Sequence, residues 1–382
     1  MRFRALDGWR GFCALLVALH HMGVMGWIYY QPLIRHAWMF VDFFFVLSGF
    51  VIAFAYGDRL GTSAAARSFV IRRFGRLWPL HAAMLAVLIA LEFVHLAVQH
   101  IHPLPGDPGA FIGGRSIFAI VTNLFLLQDF GLHDVLTWNT PSWSISAEFF
   151  TYLVFAAVCL IAPARWTRIV LALILSVLAA TILLRVSDYG MRETFHWGFV
   201  RCVFGFFAGV ITYEIWRSGV AAVLGGSITE IAAVLAVIVF IAYRHGDPRL
   251  EYLSVPLFAL TVLIFAGERG LISQLMLTRP VAAIGRWSYS IYMVHIFVIA
   301  IVFSALHVAE AEFHMGWMVR RPAGGFAINV GAGPANDLIM LGMLAAVVAF
   351  SALTYRYIEL PGQRWAARVA ARHPVEMSAQ IP

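Results

Sequence analysis

The chain is divided into ten long apolar stretches separated by charged residues, proline or glycine. A membrane-spanning helix needs about 20 consecutive, mostly apolar residues, and most of these stretches come close to that length. The sequence therefore predicts an all-α fold, a polytopic membrane bundle of about ten transmembrane helices. The predicted spans are 9–30, 38–56, 77–98, 143–163, 168–185, 197–216, 222–243, 250–267, 285–306 and 336–358.

The composition excludes a water-soluble enzyme. Of the 382 residues, 61% are hydrophobic and only 12% are charged, whereas about 25% of the residues in a soluble domain are charged. The stretches outside the predicted spans are too short to hold a separate catalytic domain. We expect one membrane domain over residues 1–360 and a short cytoplasmic tail over 361–382.

The distribution of arginine predicts the orientation in the membrane. The chain has no lysine, and all 27 basic residues are arginine. Most arginines fall on the cytoplasmic side if both termini are cytoplasmic, as the positive-inside rule requires. Treating 116–128 as a further span would move Arg364, Arg368 and Arg372 outside, so we interpret it as interfacial or re-entrant. This arrangement accounts for the basic charge without a nucleic-acid partner.

Ionisable side chains inside spans are costly and therefore indicate function. Arg10 and His21 are about three helical turns apart, on roughly one face of the first span. Asp42 lies in the next span at a depth similar to that of His21, whereas His20 is expected to face another side. An imidazole oriented by a carboxylate is a common general base. The alternative is a buried histidine that only ties two helices together.

Two further spans carry polar stripes at helical spacing. Glu148 is a second acid–base or positioning candidate, and Trp143 is either an interfacial anchor or part of the site. Glu359, near the last span, is expected to pair with a neighbouring arginine in a structural role. The stripes consist of Ser144, Glu148 and Tyr152 in the fourth span and of Ser288, Tyr292 and His295 in the ninth.

A cluster of arginines precedes the third predicted span. Such clusters commonly contact anionic lipid or fix the topology, but this one also suits a ligand with several phosphates. Together with the polar residues of the outer half, it suggests a donor with a phosphate-bearing cytosolic end and a reactive end in the membrane, such as acyl-coenzyme A. The cluster contains Arg67, Arg72, Arg73 and Arg76.

An ordered set of motifs spans nearly the whole chain and resembles the integral-membrane acyltransferase family 3, bacterial enzymes that O-acylate extracytoplasmic glycans. The resemblance implies a ten-span bundle and links four residues to activity, namely Arg10, His21, Arg73 and Arg76. The motifs are LDGWRG at 6–11, His21 after Arg10, VDFFFVLSGF at 41–50, RRFGRLWP at 72–79, WSISAEFF at 143–150, SYSIYMVH at 288–295 and YIELP at 357–361.

The resemblance leads to a mechanistic hypothesis. His21, oriented by Asp42, would deprotonate a sugar hydroxyl that attacks the thioester, with a hydroxyl or backbone amide stabilising the oxyanion. Glu148 would position the acceptor, and a covalent acyl-histidine is the alternative route. The residues expected to bind acyl-coenzyme A are Arg10, Arg72, Arg73 and Arg76. The residues expected to position the substrates are Trp143, Ser144, Tyr152, Ser288, Tyr292 and His295.

The expected partners are membrane lipid, acyl-coenzyme A with acetyl as the acyl group, and an extracytoplasmic glycan or lipid-linked sugar. We expect no metal and no permanently bound cofactor, because the three cysteines lack metal-binding spacing. The expected location is the bacterial inner membrane, and a partner protein is left open. The main alternative is a transporter or flippase of a glycan or glycolipid, and a sensor or scaffold is a third possibility.

Overall fold

The computed structural model describes residues 2–101, 109–187, 189–220, 224–243, 247–321, 325–331 and 334–372. Its principal elements are helices that pack around one apolar core. A π-helical turn, Tyr355–Glu359, joins the last two of them. The helices are α1 (Arg4–His21), α2 (Phe40–Tyr56), α3 (Ser63–Ile101), α4 (Trp143–Ile161), α5 (Arg165–Val186), α6 (Gly198–Arg217), α7 (Ser227–Tyr243), α8 (Ser254–Phe265), α9 (Arg279–Phe313), α10 (Ala335–Thr354) and α11 (Leu360–Ala371).

Shorter elements connect these helices. Strands β1 (Met318–Arg320) and β2 (Phe326–Ile328) form an antiparallel pair with Met318 opposite Ile328. Short helices lie at Trp27–Tyr30, Pro32–Arg35, Ile117–Leu124 and Leu271–Met276. Turns of 3₁₀ helix lie at Ala37–Met39, Gly113–Arg115, Thr140–Ser142, Gly190–Arg192 and Pro248–Leu253.

The predicted all-α membrane bundle is confirmed. Within the described residues, eight helical segments are long and apolar enough to cross a membrane. The other two predicted spans fall short: α1 carries Arg4, Asp7 and Arg10 within its 18 residues, and α7 has only 17 residues. The count of ten spans and the cytoplasmic placement of both termini stay predictions.

The predicted span 9–30 is wrong in its second half, because α1 ends at His21. Gly23 has a φ of +61°, a left-handed conformation that ends the helix and that L side chains rarely adopt. Its carbonyl accepts a hydrogen bond from the backbone N–H of Ile328 at 3.0 Å, and the N–H of Met25 donates to the Ile328 carbonyl at 2.8 Å. The chain after α1 is therefore tied to β2.

Segment 116–128 is too short to cross the membrane as a helix. It contains the helix Ile117–Leu124 of eight residues, which rises about 12 Å, whereas the hydrocarbon core is about 30 Å thick. This finding agrees with our rejection of an eleventh span.

The predicted loops and tail are more helical than expected. Helix α3 begins at Ser63, so the arginine cluster lies within a helix and not in a loop. The predicted tail begins as α11, which packs against α3 with Ala366 directly facing Gly75. Residues 373–382 of that tail lie outside the described residues, as do parts of the loop 307–335, namely 322–324 and 332–333.

Two close helix crossings position the polar residues of the bundle. A Cβ on Gly11 of α1 would lie 2.6 Å from the backbone nitrogen of Gly285 in α9. A Cβ on Gly49 of α2 would collide with the carbonyl oxygen of Phe206 in α6. Small residues permit such close backbone approach between membrane helices, and here they bring polar side chains of the paired helices into contact.

Candidate active site

Two cavities lie at successive heights along α1 and α2. The first, which we call the arginine cavity, has a volume of about 110 Å³ and the second, the histidine cavity, about 370 Å³. The polar lining of the arginine cavity includes Arg10, Ser48, Arg73, Arg76, Ser144, Glu148, Tyr152, Ser288, Tyr289 and Tyr292. The charged and aromatic lining of the histidine cavity includes His20, His21, Arg35, His36, Trp38, Trp143, Arg192, Arg201 and Tyr292.

The two cavities adjoin each other. Val41 and Tyr292 line both of them, and the Tyr292 hydroxyl is hydrogen-bonded to Ser144 at 2.8 Å. On α1, Arg10 lines the arginine cavity and His21 lines the histidine cavity. The two residues are eleven positions apart, which corresponds to a rise of about 16 Å along the helix. Val41 and Tyr292 therefore lie where the two cavities meet, between Arg10 and His21.

Two of the three arginines in the arginine cavity are paired with carboxylates. Arg10 forms an ion pair with Asp7 at 2.8 Å, and its Nε donates to Ser288 at 3.0 Å. Arg76 forms an ion pair with Glu359 at 3.2 Å. Both guanidinium groups are held in place, and both charges are partly neutralised. The predicted binding of coenzyme A phosphates by Arg10 and Arg76 stays a prediction, now for two guanidinium groups that already have carboxylate partners.

Arg73 has a different environment. Its Nη2 donates to the Tyr56 hydroxyl at 3.3 Å, and its guanidinium lies over the rings of Tyr56 and Phe69 at 5.3 and 5.9 Å. Its Nε is buried without a hydrogen-bond partner, and no carboxylate of the described residues forms an ion pair with it. Arg72, by contrast, lines neither cavity, so the structure separates it from its expected partners.

Glu359 is more deeply integrated than the sequence indicated. Its side chain is buried and accepts hydrogen bonds from Ser290 at 2.8 Å and Gln363 at 2.9 Å, besides its contact with Arg76. It closes the π-helical turn Tyr355–Glu359. Such turns are rare and often occur at functional sites. Glu359 does pair with an arginine, but the partner is Arg76, 283 residues away along the chain and not a neighbour in the sequence, and the group is buried inside the bundle.

Glu148 lies in the arginine cavity and not with His21. It accepts a hydrogen bond from Tyr152 at 2.6 Å, and the Tyr152 hydroxyl is also 3.0 Å from Ser48. Residues four apart on a helix lie on the same face, so the predicted stripe of Ser144, Glu148 and Tyr152 is confirmed. Glu148, which was expected to position the acceptor for His21, thus lines the other cavity.

The predicted pair of His21 and Asp42 is also wrong. Both carboxylate oxygens of Asp42 are bound by Arg201, from Nε at 2.7 Å and from Nη2 at 2.9 Å. Arg201 also donates to the Glu193 carbonyl at 3.0 Å. The close crossing of α2 and α6 turns Asp42 towards α6, away from α1. Arg201 was missed as its partner, although an arginine inside a span was itself a signal.

His21 is oriented by its own helix. Its Nδ1 lies 2.9 Å from the carbonyl oxygen of Val17, and because a carbonyl can only accept, Nδ1 must carry the hydrogen. This leaves the lone pair on Nε2, the form that a general base requires. The ring centroids of His295 and His20 each lie 5.0 Å from that of His21.

Aromatic rings and further arginines surround the approach to His21. The Arg201 guanidinium lies between Trp38 and Trp143, at 5.5 and 5.3 Å from the ring centroids. His20 lines the same cavity as His21, contrary to expectation, while its Nδ1 contacts the Ile34 carbonyl at 3.0 Å. His295 is fully buried and lines neither cavity, so it supports the His21 ring without facing either cavity.

Comparison with known proteins decides the family. The family model described as an acyltransferase domain matches residues 3–357, nearly the whole chain. The chain belongs to the acyltransferase family 3. The ordered motifs of the sequence had indicated this family, and its expected membrane bundle is the fold described above. No solved structure is significantly similar to the chain.

Three relatives illustrate the range of the family. Protein 2 in the picA locus of Rhizobium radiobacter is 33% identical over 193 residues, 49% of this chain and 96% of that protein. The acyltransferase MdmB of Streptomyces mycarofaciens is 30% identical over 164 residues, 41% of this chain and 38% of MdmB. The peptidoglycan O-acetyltransferase OatA of Listeria monocytogenes is 25% identical over 333 residues, 80% of this chain and 51% of OatA.

Proposed function

We propose that this acyltransferase moves an acetyl group from acetyl-coenzyme A to a hydroxyl group of an extracytoplasmic glycan or lipid-linked sugar. One observation carries the proposal: a cavity with an arginine that lacks a carboxylate partner adjoins a cavity with an oriented histidine, and Val41 and Tyr292 line both. This arrangement suits a donor and an acceptor that arrive from opposite faces of a membrane and react where the two cavities meet.

The donor enters the arginine cavity from the cytoplasm. Arg73 binds a phosphate of coenzyme A, because its Nε has no hydrogen-bond partner among the described residues and a guanidinium binds phosphate strongly. Arg10 and Arg76 remain in their ion pairs with Asp7 and Glu359. Their guanidinium groups add to the positive potential that the phosphate meets in the arginine cavity. The thioester end then extends past Tyr292 towards His21.

The acceptor enters the histidine cavity from the outer face. Nε2 of His21 takes the proton of the sugar hydroxyl, and the alkoxide forms a C–O bond to the thioester carbonyl carbon. The Tyr292 hydroxyl, which already contacts Ser144, is placed to donate to the oxyanion. The C–S bond then breaks, and the coenzyme A thiolate takes the proton from His21.

The names of the relatives support a glycan acceptor and an O-acetyl product. OatA is a peptidoglycan O-acetyltransferase and MdmB is an acyltransferase, but this chain matches only 51% and 38% of their respective lengths. The acceptor of this protein is therefore part of our proposal. So is its location in a bacterial inner membrane with the arginine cavity facing the cytoplasm, which follows the positive-inside rule.

A donor-consumption experiment tests the proposal. The purified protein, reconstituted in lipid nanodiscs, is given acetyl-coenzyme A labelled in the acetyl group together with cell-envelope glycan. We expect release of coenzyme A and labelled, alkali-labile acetyl ester on the glycan. A transporter or flippase would leave the thioester intact. The proposal would be contradicted if the thioester stayed intact with every glycan fraction of the host. The thermal midpoint must show that the protein in this assay is folded.

A further inference from the structure

The histidine cavity has a charge distribution that the acyl transfer itself does not require. Within the part of the chain that the structure describes, its lining contains three arginines and three histidines and no aspartate, glutamate, asparagine or glutamine side chain. Resting on the function proposed above, we infer that the acceptor is an anionic sugar. It carries a carboxylate or phosphate group that Arg35 and Arg192 bind while a hydroxyl of the same glycan reaches His21.

The arginines of the histidine cavity differ in how far carboxylates neutralise their charges. Arg201 is neutralised by Asp42 through two short contacts. Arg192 is only weakly paired, at 3.6 Å from Glu251, and its side chain is 54% exposed. Among the described residues, no carboxylate forms an ion pair with Arg35, whose guanidinium lies 5.3 Å from the ring centroid of Tyr29. The cavity therefore presents excess positive charge to an incoming ligand.

The hydrogen-bonding groups of the lining also discriminate between neutral and anionic sugars. Hydroxyl groups of a neutral sugar are hydrogen-bond donors as well as acceptors, and proteins satisfy the donors mainly with carboxylate or amide oxygens. Among the described residues, this lining supplies neither kind of oxygen from a side chain, and its side-chain oxygens are the hydroxyls of Thr140, Thr194 and Tyr292. Arginine, in contrast, offers only donors, and its planar group matches two oxygens of a carboxylate or phosphate. The lining thus favours an anion over a neutral sugar.

Aromatic side chains lie beside these arginines in the histidine cavity. Trp38 has Arg192 on its ring at 5.4 Å and Arg201 at 5.5 Å, which holds Arg192 at the cavity wall. Trp143 lines the same cavity. The contact with the Trp38 ring fixes where the Arg192 guanidinium lies. The charged group of an acidic sugar that enters the cavity can therefore meet an arginine that is already held in place.

The chemistry of the anion is shared by two sources, a sugar carboxylate and a sugar phosphate, so the assay contains both. The reconstituted protein receives acetyl-coenzyme A with a uronic acid glycoside or its methyl ester, and with a phosphorylated glycoside or its phosphate-free form. We expect at least one anion to be used about tenfold better than its neutral partner, as loss of a charge-assisted hydrogen bond predicts.

Variants connect the preference to the two arginines. Arg35→Gln combined with Arg192→Gln should reduce the preference about tenfold and leave the KM for acetyl-coenzyme A unchanged. Arg185→Gln is the matched control, because Arg185 is an exposed arginine at the end of α5 that lines neither cavity. A raised KM for acetyl-coenzyme A in the double variant would overturn the inference, because the cavity would then hold the donor's phosphates.

Analysis of the natural product decides the matter without any variant. Envelope glycans of the host strain with and without the gene are compared by NMR spectroscopy for lost O-acetyl groups. Lost groups on, or next to, sugars that carry a carboxylate or phosphate support the inference. Lost groups confined to neutral glycan would overturn it while leaving the proposed transfer intact. If the strain loses no acetyl ester at all, the proposed function itself fails.

Discussion

Arg201 and Asp42 form a buried ion pair in which both carboxylate oxygens are bound, at 2.7 and 2.9 Å. The pair joins α6 to α2, and each side chain is at most 2% exposed. Because Arg201 lines the histidine cavity, the pair shapes one wall of that cavity. Asp42 therefore acts on the site through Arg201, as a positioning residue, and His21 takes its orientation from Val17.

Removing one member of this pair should destabilise the protein. Asp42→Asn would leave the Arg201 charge buried without a partner, which costs about 3–5 kcal/mol. The double variant Asp42→Asn with Arg201→Gln removes both charges and should recover most of the loss. Thermal midpoints of the wild type and of these two variants in nanodiscs test this. An unchanged midpoint in Asp42→Asn, with activity lost and its pH profile shifted, would instead return Asp42 to a role beside His21.

The arginine cavity predicts different effects for neighbouring arginines. Arg73→Gln should raise the KM for acetyl-coenzyme A about 10- to 100-fold, the range for a lost charge-assisted hydrogen bond, with little change in stability. Arg76→Gln should lower the thermal midpoint as well, because it leaves the buried Glu359 without its cation. Arg72→Gln is the matched control, since Arg72 lines neither cavity.

The assignment to Arg73 has a clear failure condition. Isothermal titration with coenzyme A measures binding separately from turnover. Equal affinities in Arg73→Gln and Arg72→Gln, both with the wild-type thermal midpoint, would mean that the Arg73 charge serves the membrane topology and not the donor.

Asp129 predicts a pH dependence of stability. Its carboxyl group is fully buried, and neither oxygen has a hydrogen-bond partner among the residues that the structure describes. Burial, only partly opposed by the charge of Arg201, raises its pKa well above the usual range. Above a pH of about 4, the unfolded chain loses a proton that the folded protein keeps. Stability should therefore fall as the pH rises, by about 1.4 kcal/mol per pH unit until the folded group ionises.

Asp129→Asn removes this dependence, because the amide does not ionise. The variant's thermal midpoint relative to wild type should be higher at pH 8 than at pH 5. A relative midpoint that is the same at both pH values would show that Asp129 is not protonated in the folded protein.

The sequence predicted the helices well where the membrane alone determines them. Apolar stretches of span length must form helices, because backbone groups in lipid have no other hydrogen-bond partners. The end of the first span was misplaced because the Gly23 carbonyl pairs with Ile328, a contact more than 300 residues away along the chain. Gly23 itself was a local signal for a helix end, but the pairing with Ile328 that fixes the chain after it is not visible in the local sequence.

The sequence predicted which residues line the candidate site better than it predicted which of their side chains contact each other. Helical spacing placed Ser144, Glu148 and Tyr152 on one face, and all three line the same cavity. The pairing of His21 with Asp42 failed because similar depth does not determine the direction around a helix axis. Arg201 was visible in its span, and the same cost of buried charge that singled out Asp42 also required a partner for Arg201.

The most direct test of this account is the acetyl transfer rate of His21→Ala in nanodiscs, with His307→Ala as a control, since His307 is exposed and lines neither cavity. Loss of a general base predicts a rate about 10²- to 10⁴-fold lower in His21→Ala, with coenzyme A binding and the thermal midpoint unchanged, while His307→Ala keeps the wild-type rate. Transfer by His21→Ala at the rate of His307→Ala would contradict the central claim that His21 takes the acceptor's proton where the two cavities adjoin.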